Sequence, residues 1–132
     1  MKKQSILLAM LALVLAFGIM IVACDSGIGS STNETTKTIK YQVTGTIPSA
    51  NNVIYTNSTG GYDTLNNVTL PWEISFSVTI GKNKYFSASV TGTAHTKGTL
   101  TAKIFVNGTE IKSVNGSGDT YTEVTAIEII RN

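Results

Sequence analysis

The sequence predicts an all-β protein: an immunoglobulin-like antiparallel β-sandwich of about seven strands, placed after an N-terminal hydrophobic signal helix. Three observations predict it. From Thr38 onward, apolar side chains recur with period two, the period of a strand with one face on a core. Clusters of Gly, Asn, Asp and Ser break the chain about every eight to twelve residues, as sandwich turns do. No segment after residue 24 carries a helical period. A small closed barrel is the alternative way to join the same strands.

The elements follow in order. Ile39, Tyr41 and Val43 alternate with polar residues and mark the first strand. Asn52 to Thr56 is a short second strand around Val53, Ile54 and Tyr55. Ser58 to Asn67 is polar and reads as a loop. Trp72 to Ile80 is the clearest strand, with Trp72, Ile74, Phe76, Val78 and Ile80 on one face. Gly81-Lys82-Asn83-Lys84 connects it tightly to Tyr85 to Val90, whose Phe86, Ala88 and Val90 face inward. Gly92 to Gly98 reads as a loop. Thr99 to Val106 turns Leu100, Ala102, Ile104 and Val106 to one side. Asn107-Gly108 is a hairpin signal, since both residues tolerate positive φ, and Thr109 to Val114 returns. Asn115 to Asp119 turns the chain into Thr120 to Ile130. There Val124 and Ala126 suit one face, while Ile127 and Ile129 suit the other. A bulge near Ala126, or a strand covered on both sides, would explain this; the bulge is the favoured reading.

The N-terminus sets the location. Lys2 and Lys3 precede 18 apolar residues, Ile6 to Ala23, and Cys24 follows a small residue. It is the only cysteine in the chain. This pattern resembles a bacterial lipoprotein signal: residues 1–23 are cleaved, and the Cys24 sulfur takes a diacylglyceryl group that anchors the chain in membrane lipid. An ordinary secretory signal and a retained membrane helix are the competing readings; the run is longer than the usual secretory apolar region and just long enough to span a bilayer, so length alone favours the retained helix. Cys24 favours the lipoprotein. Residues 24–37 then form the lipidated cysteine and a polar linker, with the sandwich at 38–132. The thirteen residues Asp25 to Lys37 span about 20 Å as a flexible coil. All of this predicts a domain in the cell envelope, outside the cytoplasm, on a bacterial membrane.

Composition excludes several functions. Without Lys2 and Lys3 the chain carries eight basic and eight acidic side chains, which gives nucleic acid no basic footprint. A structural or catalytic zinc site needs three or four nitrogen, sulfur or carboxylate ligands. One histidine and one lipidated cysteine do not supply them, so no metal or other cofactor is expected. His95, in the Gly92 to Gly98 segment, reads as a solvent-exposed loop residue. No serine lies in a strand-to-helix elbow beside it, so no catalytic residue is expected and the chain reads as a non-enzyme. Asn115 to Asp119 offers a calcium ion only one carboxylate and reads as a turn. Trp72 opens an alternating apolar face and reads as core, while Tyr55, Tyr62 and Tyr85 are candidates for an aromatic surface.

Four segments carry a family resemblance: Tyr41-Gln42-Val43-Thr44-Gly45, Val53-Ile54-Tyr55-Thr56-Asn57, Asn67-Val68-Thr69-Leu70-Pro71-Trp72 and Ile104-Phe105-Val106-Asn107-Gly108. In this order they resemble the small mycobacterial membrane proteins, MmpS, across about residues 38 to 130. Leu70, Pro71 and Trp72, with Val106, Asn107 and Gly108, are the sharpest pieces. They serve first as fold markers and second as candidate interaction residues. The resemblance implies a β-sandwich acting as periplasmic accessory to an exporter of the resistance-nodulation-division (RND) type, the MmpL class. A surface lipoprotein binding host or envelope ligands through loops or an edge strand is the alternative. MmpS proteins keep their N-terminal helix and commonly carry a cysteine pair. Here Ala102 and Ala126 stand where the resemblance would place that pair, which implies neighbouring strands in the core.

Overall fold

A computed structural model describes residues 33–132; the signal segment, Cys24 and the first part of the linker lie outside them. The described residues contain eight strands and no helix. The strands are β1 (Thr35–Gly45), β2 (Ser49–Thr56), β3 (Tyr62–Thr69), β4 (Trp72–Ile80), β5 (Tyr85–Ala94), β6 (Gly98–Val106), β7 (Thr109–Gly118) and β8 (Thr122–Arg131). They make two antiparallel sheets, ordered β4-β1-β6-β7 and β3-β2-β5-β8. The result is a two-layer sandwich rather than one closed barrel.

Alternation builds the core. Ile39, Tyr41 and Val43 of β1 are fully buried, as are Leu100, Ala102 and Ile104 of β6 beside them. Val53, Ala88, Val90 and Ala126 face them from the other sheet. Fully burying a Val, Leu or Ile side chain contributes about 1.5–3 kcal/mol, so these central strands hold most of the apolar stabilisation. An aromatic chain runs through the same layer. Phe86 meets Phe76 at 6.3 Å between ring centroids, Phe76 meets Tyr41 at 5.6 Å, Tyr41 meets Tyr55 at 5.9 Å, and Tyr55 meets Trp72 at 5.4 Å. The edge-to-face and tilted arrangements suit the quadrupoles of the rings.

Several boundaries differ from those read in the sequence. β1 starts at Thr35, so the last residues of the expected linker belong to the sheet, with Thr35 opposite Ile80. β2 starts at Ser49 rather than Asn52. Most of the expected loop Ser58 to Asn67 is strand β3. Its alternation was hidden because Asn67 takes a positive φ of 52°, which resets the pleat so that Leu65 and Val68, three apart, both turn inward. The segments Gly92 to Gly98 and Asn115 to Asp119 are largely strand as well, leaving 95–97 and 119–121 as the connections.

No bulge occurs near Ala126. β8 pairs with β5 in unbroken register, from Ala94 opposite Thr122 to Tyr85 opposite Arg131. Thr122, Val124, Ala126 and Ile130 face the core on strict alternation. Ile127 and Ile129 face outward and are about half exposed, at 53% and 49%. The bulge lies instead between β6 and β7, where Ile104 pairs Lys112 and Phe105 pairs Glu110, leaving Ile111 without a partner. Ala102 and Ala126 are both fully buried, but on facing sheets. Their strands are therefore opposed across the core and not hydrogen-bonded neighbours.

The two sides of the sandwich differ. At one, β7 and β8 come so close that a Cβ on Gly116 would lie 2.6 Å from the Glu123 carbonyl oxygen, and the connection after β7 is so tight that one on Gly118 would collide with the carbonyl of Tyr121. At the other, β3 and β4 are separate free edges, and Leu65, Leu70, Trp72, Ile74 and Phe76 are only partly covered.

Candidate functional site

The sequence-marked residues fall at two places along β1. Leu70 and Trp72 are half-buried and Pro71 is exposed, at the corner between β3 and β4. The Leu70–Pro71 peptide bond is cis, and the Leu70 amide donates to the Pro48 carbonyl at 2.9 Å. Trp72 pairs with Val43. Val106 pairs with Ile39, four residues away along β1, or about 13 Å. The two triplets are thus fixtures of different ends and form no common site.

Asn107 and Gly108 form the expected two-residue turn, at φ 50° and 81°. Asn107 also does something the sequence did not announce. Its Oδ1 accepts from the Thr38 amide at 2.9 Å, and its own amide donates to the Thr38 carbonyl at 2.8 Å. The hairpin tip is thereby fastened to β1. Asn107→Ala should lose that side-chain bond and place alanine at positive φ, costing about 2 kcal/mol. Chemical denaturation would show the loss, and Asn107→Asp, which keeps an acceptor, should recover part of it.

His95 is exposed on the bend after β5, where its amide donates to Asn51 Oδ1 at 2.7 Å and its ring lies 5.1 Å from that of Tyr121. The neighbouring depression, lined by Gly98, Thr99, Ser117 and Gly118, is flanked by an exposed ion pair, Lys97 to Asp119 at 3.2 Å. Such an exposed pair contributes little. Among the described residues no group of three or more His, Cys, Asp or Glu side chains is placed to hold a metal ion.

The opposite end of β5 carries a more organised feature. An open groove of about 360 Å³ lies between the β2–β3 turn and the β4–β5 turn. Val78, Ile80 and Phe86, all buried, form its floor. Tyr62, at the start of β3, and Tyr85, at the start of β5, stand on its rim at 70% and 63% exposure. Ser58, Thr59, Ser87 and Lys84 supply polar groups. β2 pairs with β5 only from Asn52 to Tyr55, so the β5 backbone at Tyr85, Phe86 and Ser87 has a strand neighbour, β8, on one side and the groove on the other. The β1 start adjoins this end, since Thr35 pairs with Ile80.

One residue shapes the wall. Asn57 Oδ1 accepts from the Thr59 amide at 3.1 Å, the Thr59 hydroxyl at 2.7 Å and the Gly61 amide at 3.1 Å. Its Nδ2 donates to Asp63 at 3.1 Å, and its backbone exchanges bonds with Gly60 and Gly61. Gly60, at φ 85°, makes the reversal. The far wall is closed by the Lys84 amide donating to the Gly81 carbonyl at 3.0 Å, with Asn83 at φ 58°. Both turns are therefore set before any ligand arrives, which lowers the ordering cost of binding. The signal for this site in the sequence was the pair Tyr62 and Tyr85; of the three tyrosines considered, Tyr55 is buried. Burial, and the Asp63 carboxylate beside it, push the Tyr55 hydroxyl pKa up.

No protein-family model matches this chain, and no curated protein matches it.

Proposed function

We propose that this chain is a non-catalytic lipoprotein of the bacterial cell envelope, held in membrane lipid through acylated Cys24, whose immunoglobulin-like sandwich binds an envelope ligand. "Immunoglobulin-like" here means the two-layer architecture, which many binding domains share with differing strand orders. The observation that carries the reading is the groove between two prefixed turns, with Tyr62 and Tyr85 projecting at its rim. Exposed tyrosines on a rigid frame are contact residues of low entropic cost. Intact-mass analysis of the membrane form is expected to show acyl mass on Cys24 and loss of residues 1–23, with Cys24→Ser abolishing both. A mature chain that still begins at Met1 would replace the lipid anchor with a retained helix.

A second reading has its own support. Tyr41, Tyr55 and Trp72 come from three of the four MmpS-like segments and meet in one aromatic cluster. That convergence favours a shared architecture with MmpS and, through it, a periplasmic accessory role beside an RND-type exporter. Affinity purification from detergent-solubilised membranes should then recover a transporter subunit. Repeated recovery of none removes this reading. Protease shaving of intact cells separates the two locations: a surface domain is cut at once, a periplasmic one only after the outer membrane is breached.

A further inference from the structure

We propose that the groove beside Tyr62 and Tyr85 is a saccharide site, in which the two rings stack on apolar faces of two separated residues of one sugar chain while Ser58, Thr59, Ser87 and Lys84 bond hydroxyls between them. This rests on the reading of the chain as a binding module and names the ligand class.

The chemistry of the lining selects the ligand. It contains no carboxylate, so nothing there attracts a cation. Lys84 is its one charged side chain, which is too little for a polyphosphate. The floor is apolar but small, and hydroxyl and backbone groups surround it, which does not suit an acyl chain. A peptide strand would need a long free edge to pair with. Here the edge strand β4 gives the groove only Val78 to Ile80, the free stretch of β5 runs only from Tyr85 to Ser89, and β2 closes its line at Tyr55 opposite Val90, so neither offers a long edge within the groove. A sugar ring has what remains: flat C–H faces for aromatic stacking, and a rim of hydroxyls that both donate and accept. The fixed β5 backbone groups add donors and acceptors at no ordering cost.

The placement of the tyrosines sets the ligand's size. β3 and β5 have β2 between them, about 10 Å across the sheet, and Tyr62, opposite Thr56, is level with Ser89, four residues or about 13 Å along β5 from Tyr85, so the two positions are about 16 Å apart. Two platforms at that separation suit an oligosaccharide better than a single ring. Neither tyrosine contributes much to the fold, given its exposure. Their loss can therefore be read in binding alone.

The test uses the full-length protein in a zwitterionic detergent without sugar headgroups. Maltotetraose, chitotetraose and mannotetraose are titrated calorimetrically. At least one is expected to bind with a Kd of about 0.1–1 mM. Tyr62→Ala and Tyr85→Ala should each weaken it about tenfold, while Tyr62→Phe and Tyr85→Phe, which keep the ring, should hold within about twofold. Thermal midpoints should not move. Absence of heat with all three sugars up to about 10 mM overturns the assignment, as does undiminished binding by the double alanine variant. A photo-crosslinker at position 85 in living cells separates this failure from that of the broader reading. A polypeptide adduct that is lost on Tyr62→Ala, with no sugar binding, ends the saccharide assignment but leaves a binding module. No adduct and no sugar binding remove both.

Discussion

Replacing Tyr41 with alanine is expected to destabilise the domain by about 4 kcal/mol, a large share of the total for a domain of this size. Among the described residues Tyr41 is the largest fully buried side chain, on an inner strand, in contact with both Tyr55 and Phe76. Its loss would open a cavity in the middle of the aromatic chain, between strands that cannot collapse without breaking two ladders. The phenylalanine variant should behave in the opposite way. The Tyr41 hydroxyl is buried between the Ser89 backbone and the Thr56 hydroxyl, yet neither reaches hydrogen-bond geometry, and Thr56 Oγ1 is equally unpartnered. Removing an unpaired buried hydroxyl relieves its desolvation, so Tyr41→Phe should be neutral or stabilising by about 1 kcal/mol. Urea unfolding followed by Trp72 fluorescence measures both, as shifts in midpoint at constant slope. A Phe variant as damaged as the Ala variant would mean that the hydroxyl has a bonding role that this geometry lacks.

The same residue gives the fold a pH limit. Burial raises the Tyr41 pKa in the folded state, and Tyr55 shifts the same way. An unfolded tyrosine ionises near pH 10, whereas the folded one stays protonated above that. Their contribution is complete below about pH 10 and is lost as pH rises further, until the folded groups ionise too. Tyr41→Phe should flatten the alkaline part of the stability profile.

Gly118→Ala is expected to cost about 3 kcal/mol, and Gly116→Ala a comparable amount. An added Cβ at Gly118 meets the Tyr121 carbonyl oxygen, and at Gly116 it meets both the Glu123 oxygen and Val124 Cγ1 at 2.6 Å. Backbone atoms cannot rotate away as a side-chain tip can. For Gly116 β7 would have to lift from β8, and for Gly118 the connection through 119–121 would have to open. For a domain of about 100 residues the melting temperature should fall by about 12–24 °C. Gly61→Ala is the control, because its nearest neighbours lie at 3.5 Å or beyond and belong to side chains. Equal melting of all three variants would show that neither the approach of β7 to β8 at Gly116 nor the tight turn after Gly118 constrains the fold.

The sequence made the central strands legible because each has one face on the core. β4, β5 and β6 alternate cleanly, and their inward residues lie where periodicity put them. β3 escaped because a left-handed asparagine inside a strand shifts the alternation without any apolar signal. β8 suggested a bulge because two outward positions carry isoleucine, which pattern alone cannot tell from core. The groove was visible only as two tyrosines far apart in sequence. What joins them is the early ending of β2, a property of pairing that no local pattern contains.

β1 sits between β4 and β6, and the chain enters through it at Thr35. Lys37 donates to the Arg131 carbonyl at 2.6 Å, so the last strand is clasped to this same point. The groove adjoins this same end, so a pull between a bound ligand and the leading end is borne by the first rungs of β1 against β4 and by this clasp, without crossing the rest of the sandwich.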